Sequence, residues 1–171
     1  LHDFVWDMKD ETITFKNESG GRGDFISIHP DKDSLYFQGD TAFYDLKTNE
    51  LKIGGVDLIQ TCDAFIYTED GNVEISKGGI MDTLRNAKII ANTTNKYHVI
   101  NRATVNLMGK KDYRATGFYE YNIGNREQEI EFANIIGTRV GKGKRSEKKT
   151  VTRADGEVTE LDTFYIDHKT E

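Results

Sequence analysis

The 171-residue chain has a single cysteine, a single proline and a single tryptophan. It also lacks any run of the roughly 18 apolar residues that a membrane-crossing helix needs, so no transmembrane segment is expected. One cysteine, Cys62, excludes an internal disulfide and a cysteine-rich zinc site. Its neighbours Asp57 and Asp63 disfavour a thiolate, so an inert thiol is expected. An excess of positive charge is missing too: the net charge of −6 argues against general nucleic-acid binding. The four histidines, His2, His29, His98 and His168, are scattered without metal-ligand spacing, so no metal and no cofactor are expected. No Gly-x-Ser-x-Gly occurs, which removes that hydrolase signature. Leu1-His2-Asp3 opens inside a strand-like stretch, so no signal peptide is expected among these residues.

What is present is strand-like. Charged residues make up 30% and apolar ones 36%, a ratio that suits a thin structure in which each strand keeps one wet face. The length fits one domain, 1–171, and the pattern reads as an excerpt of a longer repeated array. One ten-residue phrase, Tyr44-Asp45-Leu46-Lys47-Thr48-Asn49-Glu50-Leu51-Lys52-Ile53, also stands 38 residues earlier as Trp6-Asp7-Met8-Lys9-Asp10-Glu11-Thr12-Ile13-Thr14-Phe15. Each copy reads as a β-hairpin, two alternating strands about a polar turn. Tyr44 and Leu46 are expected to face one way before the turn, with Leu51 and Ile53 beyond it.

A second period, near 22 residues, links Ala42, Ala64 and Ala87, and links Leu51 and Ile53 to Val73 and Ile75. It predicts strand rather than helix across 81–91, and it sets Phe43 and Phe65 as a stacked apolar stripe on the outside. Ala103, Val105 and Leu107 form a further inward row. Tyr113, Ala115, Gly117, Tyr119 and Tyr121 form another, and Ile130, Phe132 and Ile136 continue it. Short strands at such a period are the signature of a β-solenoid or stacked β-jelly roll. The fold class expected is therefore all-β, with repeated hairpins.

Segment 137–153 reads as a basic loop. Arg139, Lys142, Lys144, Arg145, Lys148, Lys149 and Arg153 face one Glu147, giving +6 there and −12 for the rest. This is an anion-contact candidate, with a solvated loop as the plain alternative. Gly137 to Gly143 imitates a phosphate loop, but its glycines are one residue too close and Gly143 stands where Ser or Thr is needed. Arg22-Gly23-Asp24 spells an adhesion tripeptide within a turn-rich stretch. Outward carboxylates such as Asp40, Asp45, Asp63 and Glu74 fall among Lys47, Lys52 and Lys88, which solvated cross-strand pairing explains without catalysis.

The stretch Gly39-Asp40-Thr41-Ala42-Phe43-Tyr44-Asp45-Leu46-Lys47-Thr48-Asn49-Glu50-Leu51 resembles the repeat of the OstA-like proteins of lipopolysaccharide transport, over roughly residues 35–135. The segments 17–33 and 137–153 depart from that repeat. The resemblance implies an OstA-like jelly roll with an open apolar trough between two sheets. It would be lined by Trp6, Met8, Tyr44, Leu46, Leu51, Ile53, Ile66, Val73, Ile75, Tyr119 and Tyr121. It further implies a non-enzymatic module of the bacterial cell envelope, periplasmic or outer-membrane associated. Such a module would bind or conduct an amphipathic lipid such as lipopolysaccharide, and would associate with itself or with neighbouring repeats through open sheet ends. Two other readings stay open: a carbohydrate-active or polysaccharide-binding β-helix, and a purely structural assembly module.

Overall fold

The computed structural model describes residues 3–16, 21–91, 93, 96, 98–123, 126–138, 150–152, 158–160 and 164–167. Strands come in quick succession: β1 (Asp3–Asp7), β2 (Thr12–Lys16), β3 (Gly23–Ile26), β4 (Tyr36–Gly39), β5 (Thr41–Asp45) and β6 (Glu50–Gly54). Next are β7 (Leu58–Thr61), β8 (Ala64–Tyr67), β9 (Val73–Ser76), β10 (Ile80–Met81) and β11 (Leu84–Ala91). Three long strands follow, β12 (His98–Gly109), β13 (Asp112–Ile123) and β14 (Arg126–Thr138), and then β15 (Thr150–Thr152), β16 (Val158–Glu160) and β17 (Phe164–Asp167). The described residues contain no α-helix, only one 3-10 turn at Pro30–Lys32. Met81 ends β10 and Leu84–Ala91 forms β11, so this stretch is strand and not helix, as the repeat predicts, with a break at Asp82 and Thr83.

Hairpins are dealt alternately to two antiparallel sheets that, among the described residues, do not close into a barrel. One sheet runs β1-β2-β5-β6-β9-β10 and the other β17-β14-β13-β12-β11-β8-β7-β4-β3, with β15-β16 a separate pair. The 38-residue repeat is visible atom by atom. Trp6 pairs with Ile13 as Tyr44 pairs with Leu51, and the two hairpins lie side by side through Ile13↔Tyr44. Asp7 Oδ1 accepts from the N–H groups of Lys9 and Asp10 at 2.9 and 3.1 Å; Asp45 Oδ1 accepts from Lys47 and Thr48 at 2.7 and 3.1 Å. Each turn then reverses on a left-handed residue, Glu11 (φ 57°) or Asn49 (φ 59°). An Asp that hydrogen-bonds the backbone two and three residues on is what starts such a turn. Leu46 belongs to this turn and not to the strand, so it does not share the inward face of Tyr44 as the alternation suggests.

Between the sheets lies one core. Ala42, Ile53 and Val73 from the first sheet meet Phe37, Ile59, Ala64, Ile66, Ala87, Ile89, Ile100, Ala103 and Val105 from the second. Full burial of each large aliphatic chain is worth about 1.5–3 kcal/mol, so these few rows carry the stability. The three alanines of the 22-residue period are all buried, but Ala42 sits in one sheet and Ala64 and Ala87 in the other. That period is therefore a rhythm of burial, not a stacked unit. For the same reason Phe43 and Phe65 lie on different sheets and form no stripe. A bulge between Ala115 and Gly117, opposite Ile135 and Phe132, turns β14 over by one residue. Ile135 is consequently fully buried, and Ile136 only half-buried.

The tip of the β12–β13 hairpin ties distant turns together. Thr61 Oγ1 donates to the Gly109 carbonyl at 2.8 Å, and Cys62 N–H donates to the Lys110 carbonyl at 2.8 Å. Lys110 N–H in turn donates to the Lys32 carbonyl at 3.1 Å, and Lys111 Nζ reaches Asp33 Oδ1 at 2.6 Å. This contact fixes the Pro30–Lys32 turn, which borders a cleft between the two sheets.

Candidate functional site

Where β3, β4 and the Pro30–Lys32 turn face β6, β9 and β10, the sheets leave an apolar cleft of about 240 Å³. Its walls come from both sheets. Phe25 and Phe37 are stacked at 5.7 Å on one side, and Leu51, Ile53, Ile75 and Met81 line the other. Alternation on each short strand puts these side chains on one face, so β3 and β4 supply the aromatic wall and β6 and β9 the aliphatic wall. The lip holds Ile26 and Ile28, 60% and 99% exposed. Beside them stand Ser27, His29 and the half-buried Lys32. His29 caps the 3-10 turn, its Nδ1 accepting from Asp31 N–H at 3.3 Å. Among the described residues Lys32 has no ion-pair partner, whereas Lys52 and Lys111 do. An open cleft of this size, walled by aliphatic and aromatic groups, suits a stretch of hydrocarbon.

No family model matches this chain, and no curated protein or solved structure matches it.

The eleven trough residues named from the sequence divide among several surroundings. Ile53, Ile66 and Val73 are sealed in the core at 1%, 0% and 1% exposure, Ile53 reaching the cleft from below. Leu51 and Ile75 pair across β6 and β9 and line the cleft directly. Tyr44 is half-buried, its hydroxyl 3.2 Å from Asn49 Oδ1. Trp6 is exposed on β1, and Met8 and Leu46 are exposed in the two equivalent turns. Tyr119 and Tyr121 stand on β13, with ring centroids 6.5 Å apart, and Tyr119 also meets Phe132 and His98. The structure thus brings Leu51, Ile53 and Ile75 together at the cleft, keeps Ile66 and Val73 in the sealed core, and places the rest on other surfaces.

Sequence reasoning missed Phe25, Phe37, Met81 and Lys32 as cleft residues. A signal was present, because Phe25-Ile26-Ser27-Ile28 and Leu35-Tyr36-Phe37 flank a Pro-containing turn and so bring two aromatics face to face. The anion-contact residues Arg139, Lys142, Lys144, Arg145, Lys148 and Lys149 lie outside the described residues, as does Arg153. Around them, Gly137 and Thr138 close β14, and 150–152 is the strand β15.

The charged groups on the wet faces pair locally. Arg22 contacts Asp57 and, at 3.5 Å, Asp40, which raises its pKa through the bond and charge of Asp57 above all. Asp24 accepts from Gln38 Nε2 at 3.0 Å and from Tyr36 Oη at 2.8 Å, bonds that hold its carboxyl below the usual range. Both charged ends of the Arg22-Gly23-Asp24 tripeptide are therefore engaged within the fold. Arg102 lies 4.3 Å over the Phe118 ring and also contacts Glu129. Among the described residues no three His, Cys, Asp or Glu side chains cluster so as to hold a metal ion.

Proposed function

We propose that this chain is a non-enzymatic β-repeat module that takes the apolar chain of an amphipathic lipid into the cleft between its sheets. The observation that carries this reading is the cleft itself: apolar walls from both sheets, and one cation, Lys32, without a partner among the described residues at its mouth. An apolar slot with few placed polar groups is the usual form of a small-molecule site. An unpaired ammonium beside it matches an anionic headgroup. The alternate dealing of hairpins to two sheets supports an OstA-like jelly roll, and with it a place in the bacterial cell envelope and a lipopolysaccharide-like ligand.

The test is titration with a fluorescent fatty-acyl probe. Leu51→Trp, which fills the cleft from its half-buried wall, is expected to weaken binding about tenfold or more, about 1.4 kcal/mol. Tyr67→Ser, on a different surface, should leave it unchanged. No probe binding, or equal binding to folded Leu51→Trp, overturns the reading. A second reading, an assembly module that accepts a strand from another chain, has its own observation in the exposed strand β1.

A further inference from the structure

The outer face of the six-stranded sheet holds a separate concavity of about 500 Å³. A row crosses its floor on four successive strands: Thr14 on β2 pairs with Phe43 on β5, Phe43 with Lys52 on β6, and Lys52 with Glu74 on β9. Cross-strand partners share one face, so these four side chains stand together. Phe43 is 38% exposed, a large ring left in water at the centre of a row of polar neighbours.

Next to the row the floor drops, because position 54 has no side chain. A Cβ placed on Gly54 would lie 2.9 Å from Thr41 Oγ1 and 3.7 Å from Asn72 Oδ1, so a hydroxyl and an amide oxygen flank bare backbone there. Asn72 is held in place. Asn72 donates its N–H to Asp70 Oδ1 at 3.0 Å and its Nδ2 to Asp70 Oδ2 at 3.1 Å, and its own Oδ1 has no bond among the described residues. Lys52 Nζ lies 3.0 Å from Glu74 Oε1, which leaves the second carboxylate oxygen of Glu74 without a bond among the described residues.

We propose that this groove is a second binding site, for a neutral, hydroxyl-rich ligand of the oligosaccharide class. Two features select that chemistry. Lys16 and Lys52 balance Asp70 and Glu74, so the lining offers no net charge to an anion or a cation. A ring with fixed acceptors and donors on either side matches a sugar, which has an apolar C–H face and a rim of hydroxyls. This site is on the opposite face of the sheet from the lipid cleft and does not depend on it.

The experiment is chemical-shift mapping of the ¹⁵N-labelled chain with cellopentaose, maltopentaose and N-acetylchitopentaose at millimolar concentration, with inorganic phosphate as the charged comparison. At least one sugar is expected to shift the amides of Phe43, Gly54, Asn72 and Glu74, and phosphate is not. Phe43→Ala and Gly54→Ala should each lower that sugar's affinity about tenfold. Both should fold, since Phe43 is exposed and the new methyl at 54 meets only the ends of Thr41 and Asn72. No shift with any of the three sugars, undiminished affinity in both folded variants, or a stronger response to phosphate overturns the proposal.

Discussion

Tyr113 sits in the core at 1% exposure, and its hydroxyl has no hydrogen-bond partner among the described residues. The ring is held there by Gly137 across the β13–β14 ladder: a Cβ at 137 would fall 1.9 Å from Tyr113 Cε1. Alternation along β13 places Tyr113 inward from sequence alone. It says nothing of whether the hydroxyl finds a partner, which depends on the turn that brings Cys62 to the Gly137 carbonyl at 3.2 Å. Burying an unsatisfied hydroxyl costs about 1–3 kcal/mol. Tyr113→Phe is therefore expected to stabilise the fold by about 1 kcal/mol, read as a higher midpoint in urea with an unchanged slope. Burial, and after it the charges of Cys62 and Asp63, raises the Tyr113 pKa above that of an exposed phenol. The folded state thus holds this proton more tightly than the unfolded one. The linked stability is fully present below the unfolded phenol value of about 10 and falls as the pH rises above it. Tyr113→Phe should lose that alkaline component, and an unchanged alkaline limb in the variant would refute the assignment.

At the scale of elements, the repeated hairpin was legible because its information is local. Aromatic, Asp, and a left-handed residue four places after the Asp recur at a 38-residue offset, and each has a short-range physical role. Glu11 and Asn49 occupy the same left-handed position, but Asn tolerates it better than Glu does. Glu11→Gly is expected to stabilise the first hairpin by about 1 kcal/mol, whereas Asn49→Gly should change little. Thermal unfolding of the two variants checks this, and equal shifts would show that the left-handed turn is not what limits the first copy. What sequence could not give were the features set by partners far away. Ile136 was placed inward by period two, but the bulge opposite Ala115–Gly117 gave that place to Ile135. Phe43 and Phe65 match in sequence, yet the chain crosses from one sheet to the other between them. The cleft was missed for the same reason, as its two walls belong to different sheets.

On the scale of the whole molecule, alternate dealing of hairpins staggers the two sheets. The first sheet starts with β1-β2 before the second has any strand, and β1 has a neighbour only on its β2 side among the described residues. Phe4, Val5 and Trp6 are consequently 64%, 68% and 56% exposed, while β8, β11 and β12 carry fully buried residues such as Ile66, Ile89 and Ile100. Such a free edge is a place for another strand to add. A second copy of β1 is a poor candidate. Antiparallel pairing centred on Val5 would set Asp3 opposite Asp7 of the other copy at both ends, and facing like charges destabilise a ladder. A partner strand with basic residues at those places and apolar ones opposite Phe4 and Trp6 meets no such penalty. Hydrogen exchange tests this directly, because protection follows local stability. The amides of β8, β11 and β12 are expected to exchange only with global unfolding, and those of β1 nearly as fast as free chain. Dilution should leave the β1 rates unchanged, whereas a peptide of the pattern Lys-Val-Thr-Val-Lys should slow them. Slowing of β1 exchange with rising protein concentration alone would show instead that copies of this chain pair edge to edge despite their aspartates.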